Sequence, residues 1–132
     1  MSDRTVAAKL LIRPEAAVWA SDPARSDLVG VLPDGARWVD GIDDATVAVV
    51  FADDAATLRA IVARDATRLG AVPVLWVVYP KGNRTDLNRD SLWPILAAHG
   101  LRPITQVAVD DVWSALRFRP LKPGEPPFSG GG

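Results

Sequence analysis

Lys81, Arg84, Asp86, Arg89 and Asp90 crowd into one short stretch, Tyr79-Pro80-Lys81-Gly82-Asn83-Arg84-Thr85-Asp86-Leu87-Asn88-Arg89-Asp90. Cations of this kind capture anionic groups, and acids beside them orient a hydroxyl or an amine. The stretch directly follows the most apolar run of the chain, Val72 to Val78. A buried strand that opens onto a charged loop is how α/β proteins line ligand crevices. Lys81 or Arg89 is therefore the expected anion holder, with Asp86 or Asp110 as the orienting acid. The plainer reading is that Asp and Asn cap helices and form turns. Thr85, Asp86, Arg89 and Asp90 together exceed what a single cap needs.

The elements that must position this loop follow from apolar periodicity. Residues 4–12 carry Val6, Leu10 and Leu11 at helical spacing, ended by Arg13-Pro14-Glu15. Ala16 to Ala20 is the first strand. Asp22 caps a short helix with Pro23 at its first position, running to about Val31. Arg37 to Asp40 is a brief second strand. Thr46 to Phe51 is continuous, β-branched and without alternation, the pattern of a strand buried on both faces. Asp53 or Asp54 then caps a helix with the stripe Leu58, Ile61, Val62 and Leu69, and Gly70 is the expected residue just past its end. Val72 to Tyr79 is the fourth strand.

After the polar loop, Leu92, Ile95 and Leu96 mark a helix starting near Asp90 or Ser91, with Pro94 in its first turn. Thr105 to Val109 and Trp113 to Phe118 are two strands joined by Asp110-Asp111, too closely for anything but an antiparallel hairpin. The order β-α-β-β-α-β-α-β-β predicts a three-layer, Rossmann-like α/β fold. Its sheet is mostly parallel, of about six strands, with a C-terminal antiparallel hairpin. Residues 1–121 form a single domain, and 122–132, rich in Pro and Gly, a flexible tail.

Such a sheet gathers its strand ends along one edge. Besides Lys81, Asp86, Arg89 and Asp110, that edge should hold Ser21, Asp22, Asp40, Asp53 and Asp54. The five tryptophans Trp19, Trp38, Trp76, Trp93 and Trp113 are spread one per element, which favours packing over a base-stacking platform. Trp93 and Trp113 border the polar segments and could wall a pocket. Arg117 and Arg119 share a strand face with Trp113, and on an edge strand they would block aggregation.

Composition narrows the function classes. The chain has 132 residues, enough for one domain with a real core. Its net charge of −1 supplies no field for a phosphate backbone, so nucleic-acid binding is disfavoured. It has no cysteine, which excludes disulfides, thiolate metal sites and a cysteine nucleophile. With one histidine, His99, a multi-histidine metal site or a serine triad is poorly supported. No metal is expected, since no EF-hand spacing occurs. No segment reads as a leader or membrane span, so a cytoplasmic location is expected. The abundance of Ala, Arg, Asp and Val suggests a GC-rich bacterial source.

The element order, with an antiparallel hairpin closing a parallel sheet, resembles a shortened class I S-adenosylmethionine-dependent methyltransferase. Asp44-Ala45-Thr46-Val47-Ala48-Val49-Val50 and Leu75-Trp76-Val77-Val78 look like that family's central strands. The resemblance implies that Asp40 binds ribose hydroxyls. It also implies a glycine-rich turn after the first strand, where this chain reads Val18-Trp19-Ala20-Ser21-Asp22-Pro23-Ala24. That departure leads to the expectation of no cofactor, with S-adenosylmethionine disfavoured. Trp76 to Lys81, Thr85 to Trp93 and Val109 to Pro120 are also similar to a small bacterial family of unknown function.

The expected function is thus a non-catalytic ligand-binding or regulatory domain whose partner is an unknown small molecule or protein. Two alternatives stand beside it. One is a small-molecule enzyme, such as a divergent methyltransferase. The other is an interaction module that forms a homodimer through its C-terminal hairpin.

Overall fold

The architecture is that of a computed structural model, which describes residues 5–82 and 84–126. The chain runs α1 (Val6–Lys9), β1 (Ala17–Ala20), β2 (Arg37–Trp38), β3 (Val47–Phe51), α2 (Ala55–Ala71), β4 (Val74–Pro80), α3 (Arg89–Ala97), β5 (Leu101–Ala108) and β6 (Trp113–Pro120). Two 3₁₀ turns, Pro23–Leu28 and Ile42–Asp44, fill the links around β2.

One six-stranded sheet has the order β2-β1-β3-β4-β6-β5. The pairs β1–β2, β1–β3 and β3–β4 are parallel, and β6 is antiparallel to both β4 and β5. The Rossmann-like α/β fold expected from the element order is therefore the fold observed. Because β2 and β3 flank β1 on opposite sides, the chain changes direction at β1. The crevice between the ends of β1 and β3 is the switch point where such sheets bind ligands.

Alternation sends the side chains of the central strands to two separate cores. Ala48, Val50, Leu75, Val77, Tyr79, Leu116 and Phe118 pack with Leu58, Val62 and Leu69 of α2 and Leu92 and Leu96 of α3. Val47, Val49, Phe51, Trp76, Val78 and Ala115 pack on the other face with Ala7, Leu10, Ile12 and Val29. All five residues of β3 are buried, which explains its unbroken apolar run. Trp76 is fully enclosed, and its indole N–H donates to the Leu10 carbonyl at 2.8 Å, tying the N-terminal segment to the sheet.

Several local expectations shift. The helix expected over 4–12 is only the four residues of α1, capped by Thr5, yet Leu10 and Ile12 beyond it are still buried. The helix after Asp22 is a 3₁₀ segment ending at Leu28. Gly70 lies inside the last turn of α2, whose cap is the extended Val72. The chain leaves α2 directly into β4, so no left-handed residue is needed. Pro94 sits past the first turn of α3, because that helix starts one residue before Asp90. A capping box holds that start: Asn88 Oδ1 accepts from the Ser91 N–H, and Ser91 Oγ accepts from the Asn88 N–H. β5 begins earlier than expected, at Leu101, and keeps Pro103 because it is the sheet edge and has an irregularity at Pro103/Thr105. β6 is internal, so Arg117 and Arg119 do not guard an edge.

Of the segment expected as a free tail, residues 122–126 fold back on the hairpin, while 127–132 lie outside the described residues. Glu125 accepts from Arg119 at 2.8 Å through both carboxylate oxygens, from the Lys122 N–H at 2.9 Å, and from Arg102. Its carboxyl is held well below the usual range, first by Arg119 and then by the Lys122 N–H.

Two predictions follow from this packing. Trp76→Phe leaves the Leu10 carbonyl buried without its donor and should cost about 1–3 kcal/mol in urea unfolding; a neutral result would remove this link as a tether. Glu125 has a folded pKa below its ordinary value of 4.5, so its contribution is present above that pH and is lost as pH falls through the folded value. Glu125→Gln should therefore lower the melting temperature at neutral pH, with the difference shrinking in strong acid. A gap that does not change with pH would show that the ion pairs are not what anchors this segment.

Candidate ligand site at the carboxyl edge of the sheet

The parallel strands bring three features side by side along one edge. The first lies at the ends of β1 and β2. Ala20, Pro23, Ser26, Trp38, Val39 and Asp40 line a cavity of about 280 Å³. Asp40 is exposed, and Trp38 is 37 % exposed. A carboxylate beside a partly exposed indole is chemistry suited to a hydroxylated, planar ligand.

The second is the switch point itself, and a salt bridge spans it. Arg25 Nη1 and Nη2 donate to the two carboxylate oxygens of Asp53, each at 2.6 Å. Asp22 lies 3.4 Å from Arg25 Nε, and the guanidinium stacks 4.9 Å from the centroid of the Trp113 ring. Arg25 is held above its ordinary pKa, chiefly by the hydrogen bonds to Asp53. Ser21 faces the same crevice, and its Oγ accepts from the Phe51 N–H at 2.8 Å. Asp22 caps the 3₁₀ turn through the Ala24 N–H.

The third feature is a groove of about 450 Å³ at the end of β4. Tyr79, Lys81, Arg89, Asn88, Gln106 and Ser114 supply its polar groups, and Pro80, Val107 and Ala108 its apolar walls. Lys81 is positioned by its own N–H, which donates to the Val112 carbonyl at 2.7 Å. Tyr79 is 4 % exposed. Burial pushes its hydroxyl above the ordinary value, against the smaller opposing effects of a Ser114 hydrogen bond and the Arg89 charge. It is therefore a neutral donor at any physiological pH.

Two of the acids picked out in the sequence have structural partners here. Asp86 Oδ1 accepts from the Ala55 N–H at 2.9 Å, which binds the polar loop to the start of α2. Asp110 Oδ1 accepts from the Val112 and Trp113 N–H groups at 2.8 Å, closing the β5–β6 turn. Trp93 is half-buried and packs on the α2–α3 core, away from the groove lining. Trp113 lies under Arg25. Lys81 and Arg89 share the groove, whereas Asp22 and Asp40 belong to the β1 side.

Arg25, Tyr79, Gln106 and Ser114 were not singled out by the sequence reading. Arg25 had one local signal, its position three residues after Asp22. Its main partner, Asp53, is 28 residues away. Tyr79 could have been found by counting along its strand, since it shares the α3 face with Leu75 and Val77. Among the described residues no three acidic or histidine side chains converge as a cation site would require, and no helix is long and apolar enough to cross a membrane.

No protein-family model and no curated protein sequence matches the chain. Solved structures do. A protein of the NADB-Rossmann superfamily from Streptococcus agalactiae aligns over 98 % of this chain and 72 % of its own, at 12 % identity and a TM-score of 0.57. The Bacillus subtilis M1A22 tRNA methyltransferase TrmK aligns over 91 % and 67 %, at 11 % identity and a TM-score of 0.53. A TehB-like SAM-dependent methyltransferase from Corynebacterium glutamicum aligns over 90 % and 89 %, at 14 % identity and a TM-score of 0.51. The fold is methyltransferase-like Rossmann.

This corrects the expectation of no cofactor with S-adenosylmethionine disfavoured. A protein named for its dependence on that cofactor shares the fold over most of both chains. A missing glycine turn removes one close backbone approach after β1, but not the crevice that the strand order creates.

Both members of the Arg25–Asp53 pair are partly exposed, at 30 % and 50 %, so the bridge is a modest contributor to stability. Asp53→Asn should cost about 0.2–1 kcal/mol in urea unfolding. A loss of several kcal/mol would instead make the pair a structural keystone.

Proposed function

We propose that this protein is a small-molecule enzyme of the S-adenosylmethionine-dependent methyltransferase type. The observation that carries the reading is the position of the Asp40 cleft. It opens beside the β1–β3 switch point, in a sheet of the fold shared with methyltransferases. The residues present fit the nucleoside half of the cofactor. Asp40 would accept hydrogen bonds from ribose hydroxyls, and the Trp38 indole would pack against the purine. Arg25 would hold the amino-acid half, its guanidinium exchanging the Asp53 carboxylate for the ligand's own. When bound, the cofactor supplies an electrophilic methyl group on sulfur. A small acceptor is favoured over RNA, because a net charge of −1 supplies no broad positive field.

A second reading has an observation of its own. The Arg25–Asp53 bridge spans the switch point, as suits a domain that binds an S-adenosyl compound as a signal and transfers nothing.

Calorimetry with S-adenosylmethionine and S-adenosylhomocysteine tests both. Micromolar binding is expected, with Asp40→Ala weakening it about tenfold, roughly 1.4 kcal/mol. Asp53→Asn should leave the affinity unchanged or raise it, since no bridge must then be opened. No heat at millimolar ligand would remove the cofactor from both readings. Methyl transfer to an added acceptor separates enzyme from sensor.

A further inference from the structure

We infer that the groove at the end of β4 is a binding site for a small organic anion, a carboxylate or phosphate carried on an apolar body. Lys81 and Arg89 both line it. Among the described residues neither makes an ion pair, whereas Arg25 at the neighbouring switch point is fully engaged with Asp53 and Asp22. No carboxylate lines the groove, and the nearby Asp90, whose charge reaches the Tyr79 hydroxyl, offsets one of the two lining cations at most, which leaves positive charge there for a ligand.

The floor beneath them is polar and neutral. The buried Tyr79 hydroxyl lies beside Ser114, whose Oγ donates to the Val107 carbonyl and accepts from Gln106 Nε2, both at 3.3 Å. The first-turn amides Asp90 N–H and Ser91 N–H of α3 already donate to Asn88, so the site's positive charge resides in side chains and not in the helix end.

The groove also has a direction. Arg89 lines a second cavity of about 250 Å³ over Pro103, Ile104, Gln106 and Leu116. Ile104 is 41 % exposed there. A ligand with its anionic head at Lys81 and Arg89 can therefore lay an apolar body along β5. An inorganic anion would leave that surface uncovered. As the acceptor site of a methyltransferase this inference rests on the proposed function, but anion binding itself is measured separately.

The test is calorimetry at low salt with phenyl phosphate, benzoate and inorganic phosphate. Phenyl phosphate or benzoate should bind with a dissociation constant of about 1 mM or tighter, and inorganic phosphate about tenfold more weakly. The relative affinities of phenyl phosphate and benzoate identify the preferred head group. Lys81→Met with Arg89→Met should abolish binding. Arg89 is exposed and Lys81 half-buried, so the variant should keep its melting temperature, and Lys81→Gln alone serves should the double variant fail to fold. Tyr79→Phe should weaken binding about threefold.

Unchanged affinity in the folded double variant overturns the site, as does no binding of any probe. Equal affinity for phosphate and phenyl phosphate overturns the apolar body. S-adenosylhomocysteine is titrated in parallel. Its binding without anion binding fails this inference alone, and the reverse fails the cofactor reading alone.

Discussion

Val47–Phe51 and Val74–Pro80 lie side by side in parallel at the centre of the sheet, with β1 and β6 beside them and both faces covered by the helices and the N-terminal segment. Burying a Val, Leu or Phe side chain contributes about 1.5–3 kcal/mol relative to leaving it exposed. A parallel pair cannot keep this gain with one face in water. It needs helices on both sides and a crossover to join its strands. That requirement places α2 and α3 on one face and the N-terminal segment on the other. It also sends the polar ends of β1, β3 and β4 to a common edge.

At that edge the acids divide into two kinds by their hydrogen bonds. Asp22, Asp54 and Asp110 accept from backbone N–H groups of the turns and helix they begin, and Asp86 accepts from the first N–H of α2, across the loop. Asp54 is held below its ordinary pKa by the Thr57 N–H. Asp53 instead faces across the crevice to Arg25, and Asp40 stands open in its cleft. The cations divide likewise, with Arg25 engaged and Lys81 and Arg89 facing the groove. One edge thus carries an acidic cleft, a closed bridge and a basic groove in sequence.

Much of the fold was legible because it is written in local periodicity. The unbroken run Thr46 to Phe51 reads as a strand covered on both faces, and Leu58, Val62 and Leu69 mark the buried stripe of α2. Element boundaries were less legible. Gly70 offered a helix stop that the geometry did not need, since Val72 turns directly into a strand. Pro94 lies further into its helix than its lost N–H would suggest, because a strong capping box starts the helix at Arg89. Glu125 lies in a Pro- and Gly-rich stretch that reads as unstructured, and only the approach of Arg119 and Arg102 gives it partners.

The amino-acid sequence alone determined the class of fold, the charged loop after β4 and the placement of Lys81, Asp40 and Arg89 at strand and helix ends. Those follow from side-chain alternation and from caps, which act over a few residues. The tertiary structure decided which of these side chains meet. Arg25 finds Asp53 across 28 residues, and Tyr79 meets Ser114 only because β6 inserts between β4 and β5. Such pairings depend on strand order and on which face each side chain takes. Strand order is set by the joint burial of both sheet faces, a property of the whole chain that no local window contains.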